Sequence, residues 1–252
     1  MIELIQRAAE LLAHARHAIA LTGAGISTPS GIPDFRTRGS GLWSNYDPMK
    51  VATVYAFRQR PQEFYEWIRP LVQGMRAARP NAAHLALAEL EAAGIIKTLI
   101  TQNIDGLHQR AGSRAVIELH GNTRSAVCIR CYAVYAAAGF VEEAIDRGEV
   151  PHCPACGGIL KPNVILYGEA LPVQALMAAK RAALACDLML VAGSSLEVAP
   201  ASDLPSMAIQ RQVALVLINQ SQTYLDQQSD VVLHADVAEV LPQLAALCRT
   251  YT

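Results

Sequence analysis

Two hydrophobic periods alternate along the chain. Short apolar runs predict buried strands near residues 18–22, 97–101, 187–192, 213–218 and 230–233. Longer stretches, in which apolar residues recur at helical spacing, predict helices near residues 2–15, 81–93, 172–185, 203–211 and 237–249. Strands that alternate with helices in this way predict an α/β fold with a parallel sheet covered on both faces.

Two intervals depart from this alternation. Residues 37–79 are rich in aromatic and polar side chains, and residues 124–160 contain four of the six cysteines. At 252 residues the chain is long enough for one substantial core with a smaller module inserted into it.

Charge and composition exclude several classes of function. The net charge is −1 with no long basic run, which argues against direct nucleic-acid binding. No apolar run reaches the roughly 18 residues that a membrane span requires, so we expect no membrane partner. Residues 1–16 have the pattern of an amphipathic helix and not of a signal peptide, and we therefore expect a cytoplasmic protein with reduced thiols.

The cysteine spacing predicts a metal site. Cys128 and Cys131 form one C-x-x-C pair, and Cys153 and Cys156 form a second pair after 21 intervening residues. Two such pairs can complete a tetrahedral Zn²⁺ site. Four cysteine ligands leave no position for water, so we expect one structural zinc ion; two redox-active pairs are the alternative.

A glycine-rich segment, LTGAGISTPSGIPDFR, follows the first predicted strand at residues 21–36. Gly23 and Gly25 allow backbone amides to approach a pyrophosphate, which predicts a dinucleotide ligand. Thr28 stands where the G-x-G-x-x-G fingerprint has its third glycine. Taken alone, the segment is equally consistent with an ordinary turn between a strand and a helix.

Two further segments carry polar groups suited to chemistry. TQNIDGLH, at residues 101–108, places amide, carboxylate and imidazole groups at the carboxyl end of a predicted strand, where open α/β sheets bind ligands. ELHG, at residues 118–121, places His120 on a short polar turn. Imidazole is suited to proton transfer near neutral pH, although a structural histidine is the alternative for this residue alone.

Together with GEALP at 168–172 and GSSLEVAPA at 193–201, these motifs resemble the sirtuin family of NAD-dependent protein-lysine deacylases, in particular its compact prokaryotic members. The resemblance implies a Rossmann-like domain that faces a small helical and zinc-binding domain across a cleft. The expected Rossmann-like domain is discontinuous and comprises residues 1–36, 80–123 and 161–252. The expected small domain comprises residues 37–79 and 124–160.

The resemblance also implies roles for individual residues. His120 matches the catalytic base, and Asn103 matches a second catalytic residue. The residues that match NAD contacts are Gly23, Ala24, Gly25, Ile26, Asp34, Phe35, Arg36, Gln102, Asn103, Ile104, Asp105, Gly193, Ser194, Ser195, Asn219, Gln220 and Val237. The residues that match contacts to the peptide substrate are Ile165, Tyr167, Gly168, Glu169, Leu196, Glu197 and Val198.

One pair of positions bears on the acyl group. Desuccinylating sirtuins carry a tyrosine and an arginine three residues apart, whereas Tyr65 is followed at that spacing by Ile68. Without an arginine to pair with a carboxylate, a neutral group such as acetyl is favoured over succinyl.

The activity implied by the resemblance is NAD-dependent deacetylation of protein lysines, which releases nicotinamide and O-acetyl-ADP-ribose. NAD is then a co-substrate, acetylated proteins or peptides are the partners, and we expect a monomer. A mono-ADP-ribosyltransferase, a long-chain deacylase and a non-catalytic NAD-sensing module are the alternatives.

Overall fold

The computed structural model describes residues 1–35, 37, 39 and 41–251. Its strands are β1 (Ala18–Thr22), β2 (Ile96–Thr101), β3 (Val116–Glu118), β4 (Gly121–Cys128), β5 (Val134–Ala136), β6 (Leu160–Val164), β7 (Leu188–Ala192), β8 (Ala214–Ile218) and β9 (Val231–Leu233). Its α-helices are α1 (Ile2–His14), α2 (Pro48–Val51), α3 (Val54–Gln59), α4 (Pro61–Ala77), α5 (Ala82–Ala92), α6 (Leu107–Ala111), α7 (Phe140–Asp146), α8 (Val173–Ala185), α9 (Asp203–Ile209) and α10 (Val237–Tyr251). Short 3₁₀ helices lie at Ala24–Ile26, Thr28–Ser30, Leu42–Ser44 and Asp226–Gln228.

The larger sheet confirms the predicted fold class. Its six strands have the order β3-β2-β1-β7-β8-β9, and every neighbouring pair is parallel. The order of the strands reverses between β1 and β7, as in Rossmann folds. Such a reversal opens a crevice at the carboxyl ends of the strands, so the loops that follow β1 and β7 lie side by side.

Both faces of this sheet are buried, because alternate residues of a strand point to opposite sides. In β1, Ala18 and Ala20 pack in a cluster with α1, α5 and α10. Ile19 and Leu21 pack on the other face with α8 and α9. All five residues of β1 are buried, as the continuous apolar run predicts for a central parallel strand.

The smaller sheet has the order β5-β4-β6 and is antiparallel. Its inner face shares one hydrophobic cluster with α3, α4 and α7. Tyr65 of α4 is buried in this cluster, and its hydroxyl donates a hydrogen bond to the Leu160 carbonyl of β6 at 2.5 Å. Residues of the two intervals that depart from the main pattern therefore pack against one another.

Gly121 sets the start of the smaller sheet. Its φ is +75°, and a Cβ at this position would lie 2.0 Å from the Asn163 carbonyl oxygen. Only glycine fits this backbone conformation and this contact. The turn that carries His120 is consequently followed at once by the strand pairing of β4 with β6.

The predicted elements of the main sheet are all present, with ends that differ from prediction by at most two residues. Strand β3 was not predicted, since its three residues are too few to show a period. The elements inside residues 37–79 and 124–160 were also not predicted, because polar residues, prolines and cysteine turns interrupt their periodicity. Among the helices of the described residues, none has the length and apolar character needed to cross a bilayer.

Candidate active site

One cavity of about 1100 Å³ lies at the crevice between β1 and β7 and extends toward the smaller sheet. It is lined by residues from each of the sequence motifs. The predicted residues that line it are Gly23, Ala24, Gly25, Asp34, Phe35, Gln102, Asn103, Ile104, Asp105, His120, Ile165, Tyr167, Gly168, Glu169, Gly193, Ser194, Ser195, Glu197, Val198, Asn219, Gln220 and Val237.

The loops after β1 and β7 touch through their backbones. The Gly25 amide donates to the Gly193 carbonyl at 2.8 Å. A Cβ on Gly25 would lie 2.9 Å from that carbonyl oxygen, and a Cβ on Gly193, whose φ is +62°, would lie 2.3 Å from the Ile26 nitrogen. Glycine is therefore required on both sides of this contact. Both glycines line the cavity.

Asn103 and Asp105 are organised by Ser27. Asn103 is buried, and its Nδ2 donates to the Gly23 carbonyl at 3.0 Å and to Ser27 Oγ at 3.1 Å. Ser27 Oγ donates in turn to Asp105 Oδ2 at 2.7 Å. Burial raises the pKa of Asp105, while the hydrogen bonds from the Leu107 amide and Ser27 lower it. The network joins the loop after β1 to the loop after β2.

His120 has a defined tautomer. Its Nδ1 lies 2.9 Å from the Gln102 carbonyl, which can only accept, so Nδ1 carries the proton and Nε2 has the lone pair. Burial lowers the pKa of His120 from its ordinary value of 6.5, and the bond to Gln102 raises it. A neutral imidazole with an available Nε2 can act as a general base at neutral pH.

A pair of buried histidines lies behind this network. The rings of His84 and His108 have centroids 4.9 Å apart. His108 Nε2 lies 2.9 Å from Thr22 Oγ1, and His84 Nε2 lies 3.5 Å from Ser27 Oγ. Burial lowers the pKa of His84 to about 4 and, together with repulsion from His84, that of His108 to about 3. Both rings are therefore neutral in the folded protein at pH 7.

The segment after the glycine loop covers one side of the cavity. The Trp43 amide donates to the Phe35 carbonyl at 3.0 Å, and the two rings have centroids 5.3 Å apart. Thr37 donates both its amide and its hydroxyl to the Asp34 carboxylate. Arg36, which was predicted to contact NAD, lies outside the described residues.

Residues 165–169 follow β6 and also line the cavity. The Ile165 amide donates to the His120 carbonyl at 2.9 Å. The Tyr167 amide donates to the Ala52 carbonyl at 2.9 Å, and the Tyr167 carbonyl accepts from the Val54 amide at 3.0 Å. This segment therefore spans from the turn that carries His120 to the helical interval.

Two predicted residues do not line the cavity. The side chain of Ile26 packs in the cluster beneath α1, α5 and α10, and that of Leu196 packs in the cluster beneath α8 and α9. Their apolar side chains are buried in the core, so the predicted contacts with a ligand cannot be made by these side chains. Ser27 also lines the cavity and was not predicted, although it directly follows Ile26 in the glycine-rich segment.

The four predicted cysteine ligands meet at one point. Their sulfur atoms all lie within 4.8 Å of one another, with Cys128 and Cys156 3.5 Å apart and Cys131 and Cys153 3.7 Å apart. A tetrahedral zinc thiolate site has sulfurs roughly 3.8 Å apart, so the cluster fits one Zn²⁺ ion. Because each short distance joins one C-x-x-C pair to the other, the arrangement supports zinc over two separate redox pairs.

Comparison with known proteins places these features in a family. Residues 23–200 match the model of the Sir2 family. The chain is 45% identical over 241 residues to an NAD-dependent protein deacylase 2 of Archaeoglobus fulgidus, an alignment that covers 95% of this chain and 94% of the relative. A Sir2 homologue in complex with NAD has a TM-score of 0.90 and 40% identity, covering 97% of this chain and 93% of that chain. A Sir2 complex with a p53 peptide and NAD⁺ has a TM-score of 0.85 and 39% identity, covering 94% and 95%.

The buried histidines predict a pH dependence of stability. As pH falls below about 6.5, the unfolded chain takes up protons on His84 and His108 before the folded chain does, so the free energy of unfolding decreases between about pH 6.5 and pH 4. Each histidine contributes up to about 1.4 kcal/mol per pH unit to the slope of the free energy of unfolding against pH.

Urea unfolding of the native chain and of His108→Gln at several pH values measures this slope. The variant is expected to have a smaller slope, whereas His14→Gln, which changes an exposed histidine, should retain the native slope. Equal slopes in all three proteins would contradict the assignment of this dependence to the buried pair.

Proposed function

The chain belongs to the Sir2 family, and from this we propose that it is an NAD-dependent protein-lysine deacetylase that converts NAD, an acetyl-lysine peptide and water to nicotinamide, O-acetyl-ADP-ribose and the free lysine. The observation that carries the proposal is the position of His120. Its Nδ1 is fixed by Gln102, and its backbone carbonyl is bonded to the segment proposed to hold the peptide. One residue therefore borders both substrates.

Bound NAD supplies an ADP-ribosyl group. The bond from its ribose to nicotinamide breaks, and the acyl oxygen of the acetyl-lysine bonds to the same ribose carbon. In the proposed reaction, His120 Nε2 accepts the proton of a ribose hydroxyl, and the oxygen of that hydroxyl then bonds to the acyl carbon. Asn103 and Asp105, held by Ser27, orient the ribose and the nicotinamide end. Phe35 shields the reacting carbon from water, and this matters because a cationic ribose centre hydrolyses readily.

The remaining cavity residues are proposed to bind the rest of NAD. The loops around Gly25 and Gly193, which have no Cβ at these two positions, allow the pyrophosphate to approach the backbone closely. Ser194 Oγ accepts a hydrogen bond from Gln102 Nε2 at 3.0 Å, so this hydroxyl is held beside the residue that fixes His120. Asn219, Gln220 and Val237, which follow β8 and β9, line the cavity and are proposed to contact the adenosine.

The peptide is proposed to lie as a strand between Gly168 and Val198, with its acyl-lysine directed toward His120. Strand addition gives affinity through the backbone and makes limited demands on the peptide sequence. Gly168 and Val198 both line the cavity.

We also propose the domain division stated above, in which residues 37–79 and 124–160 form one small domain. The shared cluster of α3, α4, α7 and the smaller sheet supports it. The cavity then lies between this domain and the larger sheet, as ligand sites at domain boundaries commonly do.

Removal of the base tests the mechanism. His120→Ala is expected to lose formation of O-acetyl-ADP-ribose, detected by mass spectrometry with an acetyl-lysine peptide and NAD, because no other assigned group accepts the ribose proton. His14→Ala, which changes an exposed histidine of α1, should keep native turnover.

For the native enzyme, kcat/KM should rise with pH through a pKa below 6.5, since burial lowers the pKa of His120.

The products distinguish the alternatives. ADP-ribosylated protein without loss of the acetyl group would indicate a mono-ADP-ribosyltransferase. Turnover confined to long acyl chains would indicate a long-chain deacylase. NAD binding with no release of nicotinamide from any acyl-peptide would indicate a sensing module, and each of these results contradicts deacetylation.

The residues of α4 that line the cavity predict a preference for neutral acyl groups. Ile68, Leu71 and Met75 of α4 line the cavity, and the Tyr65 hydroxyl is bonded to Leu160 within the core. No lysine or arginine is among the described residues that line the cavity, so a succinyl carboxylate would be buried against apolar side chains of α4. We therefore expect kcat/KM for a succinyl-peptide to be at least about tenfold lower than for the matched acetyl-peptide. Equal values for the two peptides would contradict this assignment of the pocket.

A further inference from the structure

We propose that Lys161 and Glu169 form a positioning pair that holds the peptide-binding segment Ile165–Gly168 in place. The inference rests on the proposed function, because it concerns the peptide side of the same cavity. Sequence resemblance assigns Glu169 to direct contact with the substrate. The geometry points instead to a carboxylate that acts through the backbone of the segment.

The two side chains close the turn at the end of β6. Lys161 Nζ donates to Glu169 Oε2 at 2.9 Å and to the Val164 carbonyl at 2.6 Å. The same Glu169 oxygen accepts from the Leu166 amide at 2.9 Å, and the Glu169 amide donates back to the Leu166 carbonyl at 3.0 Å. Backbone groups on both sides of Ile165 are therefore bonded to this ion pair.

The segment held by the pair is also bonded to the catalytic turn. The Ile165 amide donates to the His120 carbonyl, and both backbone groups of Tyr167 bond to the helical interval. A shift of Leu166 would therefore move the strand that the peptide must pair with. Strand pairing depends on the direction of backbone donors and acceptors, so a small displacement weakens it.

Burial separates the roles of the two residues. The side chains of Lys161 and Glu169 are 12% and 23% exposed, so loss of either charge leaves the other poorly solvated and without its partner. Glu169 lines the cavity, whereas Lys161 is not among the described residues that line it. Lys161 can therefore influence peptide binding only through the turn.

The positioning role and a direct ionic contact predict opposite effects. If Glu169 attracted a basic residue of the peptide, Lys161→Met would remove a competing cation and leave binding equal or tighter. If the pair shapes the turn, Lys161→Met and Glu169→Gln weaken binding alike, whatever the charge of the peptide. Two acetyl-lysine peptides, one with alanine flanks and one with arginine flanks, separate these cases.

The experiment measures peptide affinity by fluorescence anisotropy and NAD affinity by calorimetry, with no turnover required. Each single variant is expected to raise the Kd of both peptides about tenfold, while the Kd of NAD stays within about twofold. The double variant Lys161→Met/Glu169→Gln should be no weaker than either single variant, because the two side chains act as one unit. Glu149→Gln, which breaks the exposed Arg147–Glu149 pair, is the matched control and should bind as the native chain does.

Three results would overturn the proposal. These are an unchanged or lower peptide Kd in Lys161→Met, a loss in Glu169→Gln confined to the arginine-flanked peptide, and a parallel loss of NAD affinity that indicates general unfolding. If Lys161→Met fails to fold, Glu169→Gln, which retains an acceptor for the Leu166 amide, decides the question with both peptides. Native peptide binding without deacetylation would contradict the proposed function and leave this test intact.

Discussion

The contact between the loops after β1 and β7 is the constraint on which the rest of the site depends. The sheet order reverses between these strands, so their loops leave the sheet side by side. Gly25 and Gly193 allow the two backbones to meet at hydrogen-bond distance, where side chains would force them apart. The backbones of both loops therefore line the same cavity.

Polar contacts extend from these loops through the residues proposed to bind NAD and to act as the base. Asn103 bonds to Gly23, and Ser27 joins Asn103 to Asp105 on the NAD side. Gln102 bonds through its carbonyl to His120 and through its side chain to Ser194. These hydrogen bonds fix Asp105, His120 and Ser194 relative to one another, which is the preorganisation that the proposed mechanism requires.

The sequence predicted the parts of the structure that have local signals. Apolar runs located the main strands, C-x-x-C spacing located the zinc cluster, and polar residues after strands located His120 and Asn103. Contacts between distant residues had no such signal. Ser27 with Asp105 and Thr22 with His108 join positions 78 and 86 residues apart. The bond between Lys161 and Glu169 is also visible only in the fold.

We infer that the close approach of the two glycine loops creates the NAD site. The NAD affinity of Gly193→Ala, measured by calorimetry, tests this inference. Gly112→Ala is the matched control, because Gly112 also has a positive φ, of +110°, but a Cβ there meets no atom within 4 Å. Gly193→Ala is expected to lose NAD binding while keeping its fold and zinc content, and Gly112→Ala is expected to retain binding. Native NAD affinity in a folded Gly193→Ala protein would contradict it.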